Sequence, residues 1–88
     1  MNAPLAKLAT ARGIALALVE AWVEGRDPSS IEAQAPEHLL PIAKTAAKNG
    51  CEMIKHWARR HVEQGVPITS MPEPLRPLVR AYLFRKRS

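Results

Sequence analysis

The sequence has few of the residues that support covalent or aromatic chemistry. Its 88 residues include one cysteine, Cys51, and only two Trp, one Tyr and one Phe. A single cysteine cannot form an internal disulfide, which argues against a disulfide-stapled secreted scaffold and favours a reducing, cytoplasmic location. So few aromatic rings give poor support for a platform on which nucleic-acid bases stack.

Long apolar runs are also missing. The longest stretch near the start without a strongly polar residue, Gly13–Val19, is far short of the roughly 20 residues that a membrane-spanning helix needs. Basic residues before an apolar run are a feature of signal peptides, but Glu20 interrupts this run and no clear cleavage site follows. We therefore expect no membrane segment and no targeting signal.

The pattern of apolar residues predicts helices and no strands. No stretch alternates apolar and polar residues long enough to indicate a β-strand. Apolar residues form 47% of the chain, enough for a folded core, and they recur at the three- or four-residue spacing of amphipathic helices. The predicted fold is all-α, a small three- to four-helix bundle with two long, closely packed helices, a Pro-rich connector and a short C-terminal helix.

The length predicts a single domain over residues 1–88, with residues 85–88 as a frayed tail. Helix start and stop signals place the first helix at about residues 4–25 and the second at about 41–64, with Gly65 as a left-handed cap. In the connector, Ser29 or Ser30 is expected to cap a short helical turn. A chain this small has a thin core, so homo-oligomers are also possible.

Small residues are expected to bring the two long helices together. Ala43, Ala46, Ala47 and Gly50 form a smooth edge on the second helix. Gly13 and the alanines around it make a similar face on the first helix. A glycine inside a helix costs about 1 kcal/mol relative to alanine, and close approach of a neighbouring helix is the expected compensation.

Basic and acidic residues are unevenly distributed along the chain. Residues 1–43 carry three basic and five acidic groups, a net charge of −2, whereas residues 44–88 carry ten basic and three acidic groups, a net charge of +7. An asymmetry of this size bears on the partners of a protein rather than on its fold. It predicts that the C-terminal half faces an acidic partner.

Four of these basic residues share one side of the second helix. At about 100° per residue, Lys44, Lys48, Lys55 and Arg59 fall within about 60° of one another. The last helix has a similar stripe, made of Arg76, Arg80 and Arg87, and the two basic stripes would form one continuous surface if they were neighbours. The alternatives are plain solubility and, for basic residues in a last turn, stabilisation of the helix dipole.

The function we predict from these charges is non-enzymatic binding of an acidic partner, most simply nucleic acid through its phosphates. The alternative is a small protein-binding adaptor or inhibitor, of the kind that mobile genetic elements and phages encode to block or redirect a host protein complex. The predicted binding residues are Lys44, Lys48, Lys55, Arg59, Arg60, Arg76, Arg80, Arg85, Lys86 and Arg87.

Other kinds of site find little support in the sequence. Cys51, His56 and His61 point in three directions on one helix, so they are not expected to bind a metal ion. No phosphate-binding loop, nucleophile motif or cofactor motif is present, and we predict neither enzyme activity nor a cofactor. A helix-turn-helix centred on Gly50 is disfavoured, because polar residues occupy positions that should be apolar.

Overall fold

All regular secondary structure is helical in the part of the chain that the computed structural model describes, residues 8–87, with side chains described for residues 8–86. It consists of four α-helices, α1 (Ala11–Glu24), α2 (Ser29–Gln34), α3 (Leu40–Gln64) and α4 (Arg76–Arg87), and two 3-10 turns, Ile68–Ser70 and Glu73–Leu75. The predicted all-α class is confirmed. None of these helices is both long and apolar enough to cross a membrane.

α1 is shorter than the sequence predicts, because a capped turn precedes it. Thr10 has an extended backbone, and its Oγ1 accepts a hydrogen bond from the Gly13 amide at 3.0 Å. A threonine in this conformation satisfies one amide of the first turn and begins a helix. The prediction of a helix that runs on from residue 4 is therefore wrong at residues 8–10, and residues 4–7 lie outside the described part.

The predicted stop of α1 is confirmed. Gly25 takes the left-handed conformation, with φ of 72°, and its amide donates to the carbonyls of Ala21 and Trp22. The Arg26 amide also donates to the Ala21 carbonyl, at 2.8 Å. Hydrogen bonds of this kind satisfy the last carbonyls of a helix, and glycine adopts the required conformation without steric cost.

The connector between α1 and α3 contains the short helix α2, but its start differs from the prediction. Pro28 is the N-cap residue and makes no side-chain cap. Instead, Asp27 Oδ1 accepts hydrogen bonds from the hydroxyl of Ser29 at 2.8 Å and from its amide at 3.0 Å. These two bonds, the hydroxyl's first, lower the pKa of the Asp27 carboxyl below its ordinary value. Ser29 is thus a donor to the turn and not its cap.

α3 has the ends that the sequence predicts. It begins at Leu40, with Pro41 in the first turn, and ends at Gln64, before Gly65 with φ of 71°. Proline suits a first turn because the missing N–H has no helical partner there. The helix continues through Gly50 without a break, as predicted, and this single rod of 25 residues carries most of the candidate site.

The core lies where α1, α3 and α4 meet. Ile14 of α1, Ile54 of α3 and Val79 of α4 are fully buried in one cluster, together with Met71 from the segment before α4. A Cβ added to Gly50 would lie 3.2 Å from Val19 Cγ2, so α1 approaches the α3 backbone closely at this position. The close packing of Val19 therefore explains why a residue without a Cβ occupies position 50.

One predicted member of the buried edge of α3 is exposed. Ala43 and Ala47 are buried, but Ala46 is exposed, which contradicts the prediction. The buried residues of α3 lie within about 60° around its axis, and Ala46 lies about 60° beyond the nearest of them. The partly buried Trp57 covers the core on that side instead.

The segment that joins α3 to α4 is held by side-chain contacts to its backbone. His61 Nδ1 lies 2.8 Å from the Val66 carbonyl oxygen, so this partly buried histidine has a backbone partner. Arg76 Nε donates to the Met71 carbonyl at 3.0 Å. α4 then continues to Arg87, so residues 85–87 are helical where the sequence predicts a frayed end.

Candidate functional site

A stripe of four cations lies along the exposed side of α3. Lys44, Lys48, Lys55 and Arg59 are all exposed, as an uninterrupted amphipathic helix requires. Lys44 and Arg59 are 15 positions apart, which corresponds to about 22 Å along the helix axis. The helix thus presents a row of positive charge long enough to contact an extended ligand.

Ion pairs only partly neutralise this stripe. Lys44 Nζ lies 4.0 Å from Glu32 Oε2 of α2, and Lys55 Nζ lies 3.4 Å from Glu52 Oε2 one turn away. Both pairs are exposed, and an exposed pair contributes only about 0–1 kcal/mol, so a stronger anionic ligand could replace either carboxylate. The salt bridges of the described residues include neither Lys48 nor Arg59.

α4 adds one cation to this surface, and it does not come from the predicted stripe of that helix. Lys86 lies beside Lys55 and Arg59, and the three line one open groove of about 480 Å³ between α3 and α4. Two aromatic side chains lie beside these lysines. Trp22 and Tyr82 are stacked, with ring centroids 5.2 Å apart. Lys55 Nζ lies 5.8 Å from the Trp22 centroid, and Lys86 Nζ lies 5.8 Å from that of Tyr82.

We use the name cationic groove for this feature, lined by Lys55, Ala58, Arg59, Val62, Glu63, Tyr82, Leu83 and Lys86. Sequence reasoning did not find it, because its two walls come from two different helices, and the pattern within each helix does not show how they are rotated against each other. The aromatic pair also joins two helices, so no spacing within one helix could have indicated it. Charges beside a low-dielectric wall act more strongly than charges surrounded by water.

The predicted stripe of α4 does not line the cationic groove. Arg76 is partly buried and donates to the Met71 carbonyl. Arg80 lines a different groove, together with His61, Ile68 and Phe84. The side chain of Arg87 lies outside the described part. The structure therefore brings Lys86 to the α3 stripe, and places Arg76 and Arg80 elsewhere.

Two more of the predicted binding residues contact the protein itself. An Arg85 guanidinium nitrogen donates to the Trp22 carbonyl at 3.3 Å, beside Gly25 at the end of α1. A positive charge is favourable at the C-terminal end of a helix, and α1 has no basic residue of its own in its last turn. Arg60 lies over the Trp57 ring, 5.1 Å from its centroid, on a different side of α3 from the cationic stripe.

The side chains that resemble metal ligands stay apart. Within residues 8–87 no three His, Cys, Asp or Glu side chains come together in a way that could hold a metal ion. His56 is exposed beside Trp57, whereas His61 faces the Val66 carbonyl. Burial raises the pKa of the partly buried Cys51 thiol above its ordinary value. The positive charge of Lys55 acts to lower this pKa, and the negative charge of Glu52 acts to raise it. This thiol is therefore a weaker nucleophile at neutral pH than an exposed one.

Comparison with known proteins gives no relative from which a function could be transferred. No family model, no curated protein and no solved structure matches this chain.

Proposed function

We propose that this protein is a small non-enzymatic binding protein that docks on nucleic acid through phosphate contacts. The observation that carries the proposal is the set of exposed cations on one side of two helices, namely Lys48, Lys55, Arg59 and Lys86, with Lys44 at the end of the row. The proposal regards the fold as a three- to four-helix bundle in which α1 and α4 pack against the buried side of α3 and leave its row of cations exposed.

The length and spacing of the stripe suit a phosphate backbone. A duplex carries one negative charge per about 1.7 Å, so a stripe of about 22 Å lies alongside roughly 13 phosphate charges. Five cations neutralise only a fraction of these charges. Phosphate contacts position a protein and carry no sequence information directly, which is consistent with a surface of lysines and a single arginine. We therefore expect moderate, salt-dependent affinity with little sequence preference.

Salt dependence tests this proposal. Binding to a fluorescent 20-base-pair duplex and to a matching single strand is measured by anisotropy at several salt concentrations. If all five cations contact phosphates of the duplex, log affinity falls against log salt with a slope of about −4.5, from about −0.9 for each phosphate neutralised. Undetectable binding at low salt, or a flat slope, would contradict the proposal.

Neutralising variants locate the surface. Lys48→Gln and Lys55→Gln should each reduce affinity and make the slope less steep by about 0.9. Arg80→Gln is the matched control, because it removes one positive charge at a different groove. An equal change of slope in all three variants would mean that the net charge, and not this surface, determines binding.

A protein-binding adaptor or inhibitor is the second candidate, and the exposed apolar side chains favour it. Ile42, Val62 and Phe84 have exposed fractions of 62%, 66% and 75%. Apolar side chains anchor protein interfaces but do not contact phosphates. Failure of the salt titration, together with loss of a captured protein partner on substitution of these residues, would support this candidate over the first.

A further inference from the structure

The cationic groove has an apolar floor that phosphate contacts do not explain. Ala58 and Val62 of α3 face Tyr82 and Leu83 of α4 across it. Val62 lies at about the same angle around α3 as Lys44, on the side of the cations, and it is 66% exposed. The row of cations on α3 thus ends at Arg59, one turn before an exposed valine. Nucleic acid would leave this floor uncovered, whereas an apolar side chain would remove it from water.

The rim of the groove carries charge of mainly one sign. Lys55, Arg59 and Lys86 stand around the floor, and Glu63 lies toward the C-terminal end of α3. A ligand that fits must offer apolar groups to the middle of the groove and carboxylates to its sides. It must also avoid a carboxylate beside Glu63, where like charges would repel.

We propose that the cationic groove binds an acidic amphipathic helix of a protein partner. Helices of this kind place apolar side chains in a groove at spacings of three and four residues, and carboxylates on both flanks can reach the basic rim. Charge complementarity with Lys55, Arg59 and Lys86 selects an acidic helix over a neutral or basic one. The proposal does not depend on nucleic-acid binding, but the two ligands would compete for Lys55 and Arg59.

The size of the groove fits about two turns of a partner helix. The stretch of α3 that lines it, residues 55–63, is about 12 Å long. The volume of about 480 Å³ lies within the range of roughly 300–1,000 Å³ that is typical of ligand sites. Two or three apolar side chains of the partner would fill such a space.

A pair of synthetic peptides tests the proposal. One is a 15-residue helix former with Leu on one face and Glu on the others, and the second is a scrambled peptide of the same composition that has no apolar face. Binding of each labelled peptide to the full chain is measured by anisotropy at low and moderate salt. The amphipathic peptide should bind at least about tenfold more tightly than the scrambled one, because only it can bury leucine side chains in the groove.

Substitutions of exposed residues then test whether the peptide binds in the groove, and they leave the buried core unchanged. Val62→Asn should weaken binding of the amphipathic peptide roughly tenfold, because the valine no longer contributes apolar burial. Ile42→Asn is the matched control, since Ile42 is 62% exposed on another side of α3 and should leave the affinity unchanged. Lys86→Gln should weaken binding, whereas Glu63→Gln should strengthen it.

Three results would overturn the proposal. They are equal binding of both peptides, no detectable binding of the amphipathic peptide at low salt, and equal affinity of Val62→Asn and the natural chain. The first and third results mean that the rim attracts any acidic chain by charge alone. Nucleic-acid binding that is insensitive to Val62→Asn while peptide binding is lost would show that the two ligands use the surface differently, and it would leave both proposals standing.

Discussion

α1 and α3 form the most extensive helix–helix contact in the described part of the chain, but they contribute to it unequally. α1 has 14 residues and buries six of them, among them Ile14 and Val23. α3 has 25 residues and buries only four, of which three are alanines. α1 therefore supplies volume to the core, whereas α3 supplies a close-fitting backbone and a large exposed surface. The helix with the smaller share in the core is the one that carries the stripe of exposed cations.

The largest expected effect on stability tests this difference between the two helices. It concerns Ile54, the one large side chain that α3 buries completely. Ile54→Ala should reduce the free energy of unfolding by about 2–5 kcal/mol, because it removes apolar contacts and leaves a cavity. Val62→Ala on the exposed side of the same helix should change it by less than about 0.5 kcal/mol. Urea unfolding followed by circular dichroism measures both, and similar values would mean that α3 is not anchored through Ile54.

A smaller effect tests the close approach of the two helices at Gly50. Gly50→Val should destabilise by about 1–3 kcal/mol, because even its Cβ would lie 3.2 Å from Val19 Cγ2. Asn49→Val is the matched control, since Asn49 is exposed and asparagine and valine have similar helix propensities. Differential scanning fluorimetry measures the melting temperatures of the two variants, and the Gly50 variant should melt at the lower temperature. A Gly50 variant as stable as the control would show that Val19 moves aside at no cost.

The smallest effect concerns the way the two helices begin. α1 has a side-chain cap from Thr10, whereas the N-cap residue of α3, Leu39, makes none. Thr10→Ala should lower the free energy of unfolding by about 1 kcal/mol, within a range of roughly 0.5–2 kcal/mol, and Thr10→Ser should restore most of it. Denaturant titration of the pair measures this difference. Equal stability of the alanine and serine variants would show that the Gly13 amide does not need this cap.

The ends of the helices could be read from the sequence wherever one residue type determines them. Gly25 and Gly65 were both predicted as stops, because glycine adopts the left-handed conformation without steric cost. The start of α1 was not found, because apolar periodicity before Thr10 gave no reason to prefer the threonine as a cap. The turn at Asp27 was missed for a related reason, since aspartate and serine can each accept the capping hydrogen bond.

The candidate binding surface was predictable only in part. The α3 stripe of Lys44, Lys48, Lys55 and Arg59 was expected on one exposed side, and these side chains are exposed there. The prediction for α4 did not distinguish among Arg76, Arg80, Arg85, Lys86 and Arg87, and of those with a described side chain it is Lys86 that lines the groove with Lys55. Periodicity within α4 shows which residues share a side of that helix, but it does not show which side meets α3.

The sequence by itself determined the helical class, the length of α3 and the alignment of its cations, because these depend on contacts within about four residues along the chain. Only the tertiary structure decided that Trp22 and Tyr82 stack, that Lys55 and Lys86 converge beside them, and that Val62 forms part of a groove. These features depend on how one helix is rotated against another. That rotation is set by the packing of the whole core, and no single stretch of the sequence contains enough information to predict it.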